Sequence, residues 1–155
     1  MRLLAMVSGV GVCGIVLSAG RGTRLAPFSD TRPKASFPVG SRSLLDRAVG
    51  LLRPFVDEIA LNVSGHGDWF AAHVPLGVTF FNEGSDPLGT AGGLYNMREW
   101  IGDRDVVVLN ADSVLIGDVA DFIGGRDQAP TRLLVTLDRA SPEFDHLWRF
   151  GGSRR

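Results

Sequence analysis

The chain is poor in cysteine, in lysine, in net charge and in long apolar runs, and each scarcity excludes something. A single cysteine, Cys13, in 155 residues rules out an intramolecular disulfide and leaves a reducing cytoplasm as the default compartment. Cys13 falls in an apolar run and reads as a small buried residue. Sixteen Lys plus Arg against seventeen Asp plus Glu give a net charge of −1, so neither nucleic acid nor an anionic membrane is expected as a partner. No stretch reaches the roughly 20 apolar residues of a membrane span. There is no internal repeat and no low-complexity run. His66, His73 and His146 stand at no metal-ligand spacing and read as surface or loop residues. The remaining composition, 45% apolar and 21% charged, is that of an ordinary globular domain, and the length sets one domain with a real core as the expectation.

The first residues need a separate decision. Arg2 followed by Leu3-Leu4-Ala5-Met6-Val7 resembles the start of a secretory signal. Cleavage after Leu17-Ser18-Ala19 would remove the first strand, and the glycines at 9, 11 and 14 interrupt the apolar run. Residues 1–11 are therefore read as a short N-terminal extension, in keeping with an early start codon.

What is present begins with Val12-Cys13-Gly14-Ile15-Val16-Leu17, an apolar run that predicts a buried strand. It stops abruptly at Ser18-Ala19-Gly20-Arg21-Gly22-Thr23-Arg24-Leu25. Glycine lets backbone turn sharply and approach a ligand, and a loop of free N–H groups suits phosphate oxygens. Lys34, the single lysine of the chain, follows in Arg32-Pro33-Lys34. A compact ammonium suits a reacting phosphate where arginine presents a planar fork. The stretch reads as a polyphosphate-binding loop at the carboxyl end of the first strand. It lacks the Gly-Lys-Ser/Thr of a Walker A loop. Leu25 occupies the place of the third glycine of a dinucleotide fingerprint, and no strand-end acid follows about twenty residues on.

Downstream, Asp30 to Gly40 predicts a loop, because Pro33 and Pro38 forbid regular helix. Ser43 predicts the cap of a helix with Leu44, Leu45, Ala48, Val49, Leu51 and Leu52 as its apolar stripe, ended by Pro54. Asp57 to Val63 predicts a second strand, Asp68 to His73 a short helix and Val78 to Phe81 a third strand. The turn-rich Asn82 to Gly93 leads into a helix from near Thr90, with Leu94, Met97 and Trp100 as core positions. Asp105 to Leu109 is continuously apolar after its first residue, as in a strand buried on both faces. It ends in Asn110-Ala111-Asp112-Ser113, where Asp112 reads as a hard ligand for Mg²⁺ or as a turn residue. A short helix over Asp118 to Ile123, with Asp118 as its cap, and a strand over Thr131 to Leu137 complete the alternation of a parallel α/β sheet.

Gly20-x-Gly22-x-Arg24-Leu25-x-Pro27, Arg32-Pro33-Lys34 and Pro38-Val39, followed by Pro87-Leu88-Gly89-Thr90-Ala91-Gly92, resemble in order the two signatures of the sugar-1-phosphate nucleotidyltransferases. The likeness covers about residues 12 to 140. It implies a Rossmann-like, open, mostly parallel sheet with helices on both faces. It implies an enzyme that moves a nucleoside monophosphate from an NTP to a sugar 1-phosphate and releases pyrophosphate. By the same resemblance, Leu17, Ala19, Gly20 and Gly22 would present backbone to the nucleotide, and Gly89 and Thr90 would contact the nucleoside. Arg24 would hold the triphosphate, Lys34 the α-phosphate or the sugar phosphate, and Asp112 would bind Mg²⁺. Ala111 departs from the glycine common before that aspartate. Arg21 and Arg32 are secondary candidates. Glu83 reads either as a loop acid or as an acceptor for guanine N1–H and its amino group. GTP with mannose 1-phosphate is the first expected pair, with UTP or dTTP and glucose 1-phosphate open, as is homo-oligomer formation. The family's domain normally runs on beyond this length and supplies sugar-binding groups and a second carboxylate. Asp145 is a poor substitute for that carboxylate. Residues 141–155, ending Gly151-Gly152-Ser153-Arg154-Arg155, are thus expected to be a truncated or flexible tail. A non-catalytic nucleotide-binding half, whether a fragment or a regulatory partner of a full-length enzyme, is the second reading.

Overall fold

The computed structural model describes residues 11–115 and 119–124. The chain divides after Leu115 into two units. The second is described only at 119–124, which hold helix α5 (Ala120–Gly124). Residues 1–10 of the expected extension, the cap at Asp118, the strand over Thr131 to Leu137 and the tail lie outside the described residues.

The first unit is built on β1 (Val12–Leu17). Its β-branched residues favour extended backbone, and five of its six positions are buried. After it come β2 (Pro38–Val39) and β3 (Arg42–Ser43), a two-residue antiparallel ladder. Helix α1 (Leu44–Leu52) follows, and the Asp46 backbone N–H donates to Ser43 Oγ at 3.0 Å, the cap the sequence indicates. Next are β4 (Glu58–Val63), α2 (Gly67–His73), β5 (Val78–Asn82), α3 (Gly89–Asn96), α4 (Arg98–Ile101) and β6 (Asp105–Asn110). The four longer strands form one sheet in the order β5-β4-β1-β6, and every pairing in it is parallel. The Rossmann-like fold class expected from the resemblance is the one observed.

Side-chain alternation along the strands splits the core between two faces. On one face Val16, Ile59, Leu61 and Val63 pack with Leu45, Ala48, Val49 and Leu52 of α1 and with Phe70 of α2. On the other, Ile15 and Ala60 pack with Met97, flanked by Leu94, Trp100 and Phe81. Met97 is fully buried, as its helical spacing indicates. The single helix expected from near Thr90 is instead two. At Met97 the backbone (φ −93°, ψ 2°) leaves helical geometry, and its N–H is shared between the Gly93 and Leu94 carbonyls. Gly92 and Gly93 have low helix propensity, so packing of Met97 rather than local preference sets the path.

A second correction concerns β6. Val107 and Leu109 pack against the α1 face, but Val106 and Val108 are 38% and 42% exposed. Among the described residues β6 is an edge strand, and the small cluster built on Met97 does not include it. A uniformly apolar run here marks a strand that is partly buried, and on one face only.

Phe70 fills the centre of the larger cluster with no exposed surface. Phe70→Ala is expected to lower unfolding free energy by about 3–5 kcal/mol. Leu76→Ala, at a residue 93% exposed, should stay within about 0.5 kcal/mol. Urea denaturation of the two variants checks the contrast.

Candidate functional site

In the order β5-β4-β1-β6 the direction of winding reverses at β1, so the carboxyl ends of β1 and β6 flank the crevice where open α/β sheets take ligands. Leu17 stands opposite Asn110 in the parallel register, and the Ala111 backbone N–H donates to the Leu17 carbonyl at 2.9 Å. Asp112 is carried two residues past that pairing. A cavity of about 290 Å³ opens here. It is lined by Leu17 to Gly20, Lys34, Ala35, Asn62, Pro87, Gly89, Thr90 and Asn110 to Asp112.

Lys34 opens a short 3-10 turn, Lys34–Ser36, directly after the extended Pro33. Ala35 is buried against the α1 face, which pins the turn and leaves Lys34 at the cavity. Lys34 Nζ lies 2.7 Å from Asp112 Oδ2. Two residues given separate roles, 78 positions apart, meet directly. Their side chains are 38% and 43% exposed, so the pair contributes no more than about 1 kcal/mol to stability and can open without a large penalty.

Gly22 and Arg24 do not line the cavity. Gly22 has φ +62°, and a Cβ on it would come within 3.4 Å of Lys34 Cβ. That is an ordinary contact distance, so its glycine serves the left-handed turn. Arg24 lies in the turn Thr23–Leu25 and is exposed. Arg21 is drawn to the second loop, with its guanidinium 2.5 Å from Asp86 Oδ1. Arg32 stacks over Phe37 at 4.3 Å. Gly89, at φ +74°, turns the chain into α3, and with Thr90 it forms a wall of the cavity. No side chain caps this helix, so its first N–H groups are open to an acceptor.

Glu83 is neither a free loop acid nor a free base reader. Its Oε1 accepts from Asn62 Nδ2 at 2.8 Å and its Oε2 from the Leu88 backbone N–H at 2.9 Å. Asn62, which the strand pattern alone did not single out, is 2% exposed, lines the cavity and accepts from the Ser18 N–H at 2.8 Å. A polar residue near the end of an otherwise apolar strand was its signal in the sequence. His66 stands in the loop before α2, as the sequence indicates, at the N-cap position with φ +46°, half-buried and with Nε2 3.0 Å from the Ser29 carbonyl. His73 stacks on Trp69 at 4.3 Å. Burial pushes the Cys13 thiol up from its ordinary value, which keeps it neutral and unreactive.

Asp112 brings one carboxylate to the cavity, the kind of oxygen ligand that Mg²⁺ takes together with water and phosphate oxygens. Such sites use one or two carboxylates, and the Lys34 ammonium already stands against this one as a monovalent cation. Among the described residues no cluster of three or more metal-ligating side chains occurs.

Residues 14–138 match the family described as MobA-like NTP transferase domain. The chain belongs to that family. Among curated relatives of this NTP transferase domain is the N-acetylmuramate alpha-1-phosphate uridylyltransferase of Caulobacter vibrioides. It is 31% identical over an alignment 139 positions long, and the match covers 82% of this chain and 57% of that protein. The glucose-1-phosphate thymidylyltransferase of Streptomyces griseus is 28% identical, over 70% of this chain and 32% of that one. A solved structure described as a putative glucose-1-phosphate thymidylyltransferase from Bacillus anthracis superposes with a TM-score of 0.66 at 25% identity. The match covers 76% of this chain and 51% of that one. The chain thus spans little more than half the length, or less, of these relatives. They are enzymes of sugar-1-phosphate nucleotidyl transfer.

Two substitutions separate geometry from charge in this NTP transferase domain. Gly22→Ala is expected to destabilise by roughly 1–2 kcal/mol, because alanine resists left-handed backbone. Lys34→Ala should change stability by less than about 1 kcal/mol, given its exposure. Thermal unfolding of both reads the difference.

Proposed function

We propose that this chain binds an NTP across the carboxyl ends of β1 and β6 and transfers its nucleoside monophosphate to a sugar 1-phosphate, releasing pyrophosphate. Residues 12–140 are assigned to the nucleotide-binding part. The observation that carries the reading is the convergence of Lys34, Asp112, the glycine loop and the Gly89–Thr90 turn on one cavity.

In the proposed reaction an oxygen of the sugar phosphate attacks the α-phosphorus in line. The new P–O bond forms as the bond to the β-phosphate bridging oxygen breaks, and that electron pair leaves with pyrophosphate. The nucleophile is already ionised near neutral pH, so no general base is needed. Catalysis then rests on positioning and charge neutralisation. Lys34, released from Asp112, supplies positive charge to the α-phosphate or the incoming phosphate. Leu17, Ala19 and Gly20 present backbone, and Gly89 and Thr90 face the nucleoside. Arg24, exposed in the turn that follows the glycine loop, is assigned to the triphosphate tail and Gly22 to the loop's turn. Asp112 would hold Mg²⁺, which when bound supplies charge neutralisation to the phosphates.

UTP and dTTP are placed ahead of GTP. Both carboxylate oxygens of Glu83 already accept from Asn62 and the Leu88 backbone, which holds the group suited to guanine within the protein, and two relatives are named for uridylyl and thymidylyl transfer. A cytoplasmic location fits an NTP substrate. The second reading, a nucleotide-binding half without turnover, is favoured by one observation: among the described residues the cavity holds a single carboxylate, Asp112.

Pyrophosphate release, with each NTP and a panel of sugar 1-phosphates in Mg²⁺, decides between them. Release with one pair is expected, reduced about 100-fold or more in Lys34→Ala and in Asp112→Ala. Folded protein that binds an NTP but releases nothing supports the second reading. Folded protein that binds no NTP overturns both.

A further inference from the structure

The two loops that form the cavity walls are joined by a short chain of hydrogen bonds that runs through the buried Asn62 and the half-buried Glu83 to the exposed Leu88. Asn62 Oδ1 accepts from the Ser18 N–H at 2.8 Å, and Asn62 Nδ2 donates to Glu83 Oε1 at 2.8 Å. Glu83 Oε2 accepts from the Leu88 N–H at 2.9 Å. Ser18 immediately precedes the Ala19-Gly20 wall, and Leu88 immediately precedes the Gly89-Thr90 wall. Every polar atom of the two side chains is engaged in one consistent donor and acceptor order. The helix above makes room for them: a Cβ at Gly93 would lie 2.7 Å from Asn62 Nδ2 and 2.8 Å from Glu83 Oε1. Asn62 is 2% exposed, so water cannot replace a partner it loses.

We propose that Asn62 and Glu83 are positioning residues that set the spacing between the glycine loop and the Gly89–Thr90 turn, and so the fit of the nucleotide between them. The proposal rests on the nucleotide-binding reading above. Glu83 acts through Leu88 and Asn62 and does not read the base.

The bond order makes a reciprocal test available in the full-length chain. Asn62→Asp alone sets one carboxylate against another. Glu83→Gln alone turns an amide N–H₂ toward a donor, either Asn62 Nδ2 or the Leu88 N–H. The double variant Asn62→Asp/Glu83→Gln restores the whole chain with donor and acceptor exchanged at its centre. The carboxylate introduced at position 62 would accept from the Ser18 N–H and from the amide introduced at position 83. The oxygen of that amide would accept from the Leu88 N–H, and the net charge stays as in the wild type. Binding of UTP, dTTP and GTP is measured by calorimetry alongside the melting temperature of each variant. Each single variant is expected to bind the preferred NTP about tenfold more weakly, and the double variant to return within about threefold of wild type with the same preference.

A double variant no better than the product of the singles overturns the positioning role, as does wild-type affinity in Glu83→Gln. A changed order of preference among the three NTPs in Glu83→Gln, kept in the double variant, would make Glu83 a base reader instead. If Asn62→Asp does not fold, the comparison of Glu83→Gln with the double variant carries the test. A wild-type protein that binds no NTP overturns the site reading and this proposal with it, an outcome distinct from wild-type binding that the variants leave untouched.

Discussion

The cavity depends on the parallel pairing of β1 with β4 on one side and β6 on the other. Parallel strands send all their carboxyl ends to the same edge. The register then decides which residues meet there: Leu17 lies beside Asn62 on one flank and beside Asn110 on the other. The pairing is held because β1 is buried on both faces, with Val16 in one cluster and Ile15 in the other. A slip of one residue would exchange those faces. Once the register is set, the glycine loop has nowhere to go but over the sheet edge, between the turn holding Lys34 and the tip of β6.

Two kinds of polar contact then shape the site, and their burial separates them. Lys34–Asp112 and Arg21–Asp86 are exposed ion pairs, weak and exchangeable because solvent competes for both partners. Lys34 and Asp112 line the cavity, and their pairing holds the two charges together without locking them. Asn62 and Glu83 lie deeper, with Asn62 almost wholly out of water. Their bonds join backbone to backbone across two loops, and those of the buried Asn62 have no cheap substitute. The contacts of Asn62 are thus held where water cannot compete, and the exposed charges stay adjustable.

The glycines follow from the same geometry and serve different ends. Gly22 and Gly89 stand at positive φ, where the chain must turn sharply on either side of the cavity. Gly93 has no such backbone requirement; its missing side chain is the space through which Asn62 reaches Glu83. The glycine that directly follows the second motif, Gly93, is therefore a packing requirement set in part by Asn62 of β4, three elements back along the chain.

By itself the sequence determined β1, α1, β4 and the order of the alternation, because apolar period, the Ser43 cap and the proline stops act over a few residues. It also marked the glycine loop, Lys34, Gly89–Thr90 and Asp112, since small residues and isolated charges at strand ends are visible without a fold. Only the tertiary structure decided that Lys34 rests on Asp112, that Glu83 is engaged by Asn62 and Leu88, that Val106 and Val108 of β6 are partly exposed, and that the helix breaks at Met97. The physical reason is range. Periodicity and propensity report on neighbours in the chain, whereas Lys34–Asp112 and Asn62–Glu83 join residues 78 and 21 positions apart, and such partners are chosen by strand order and register.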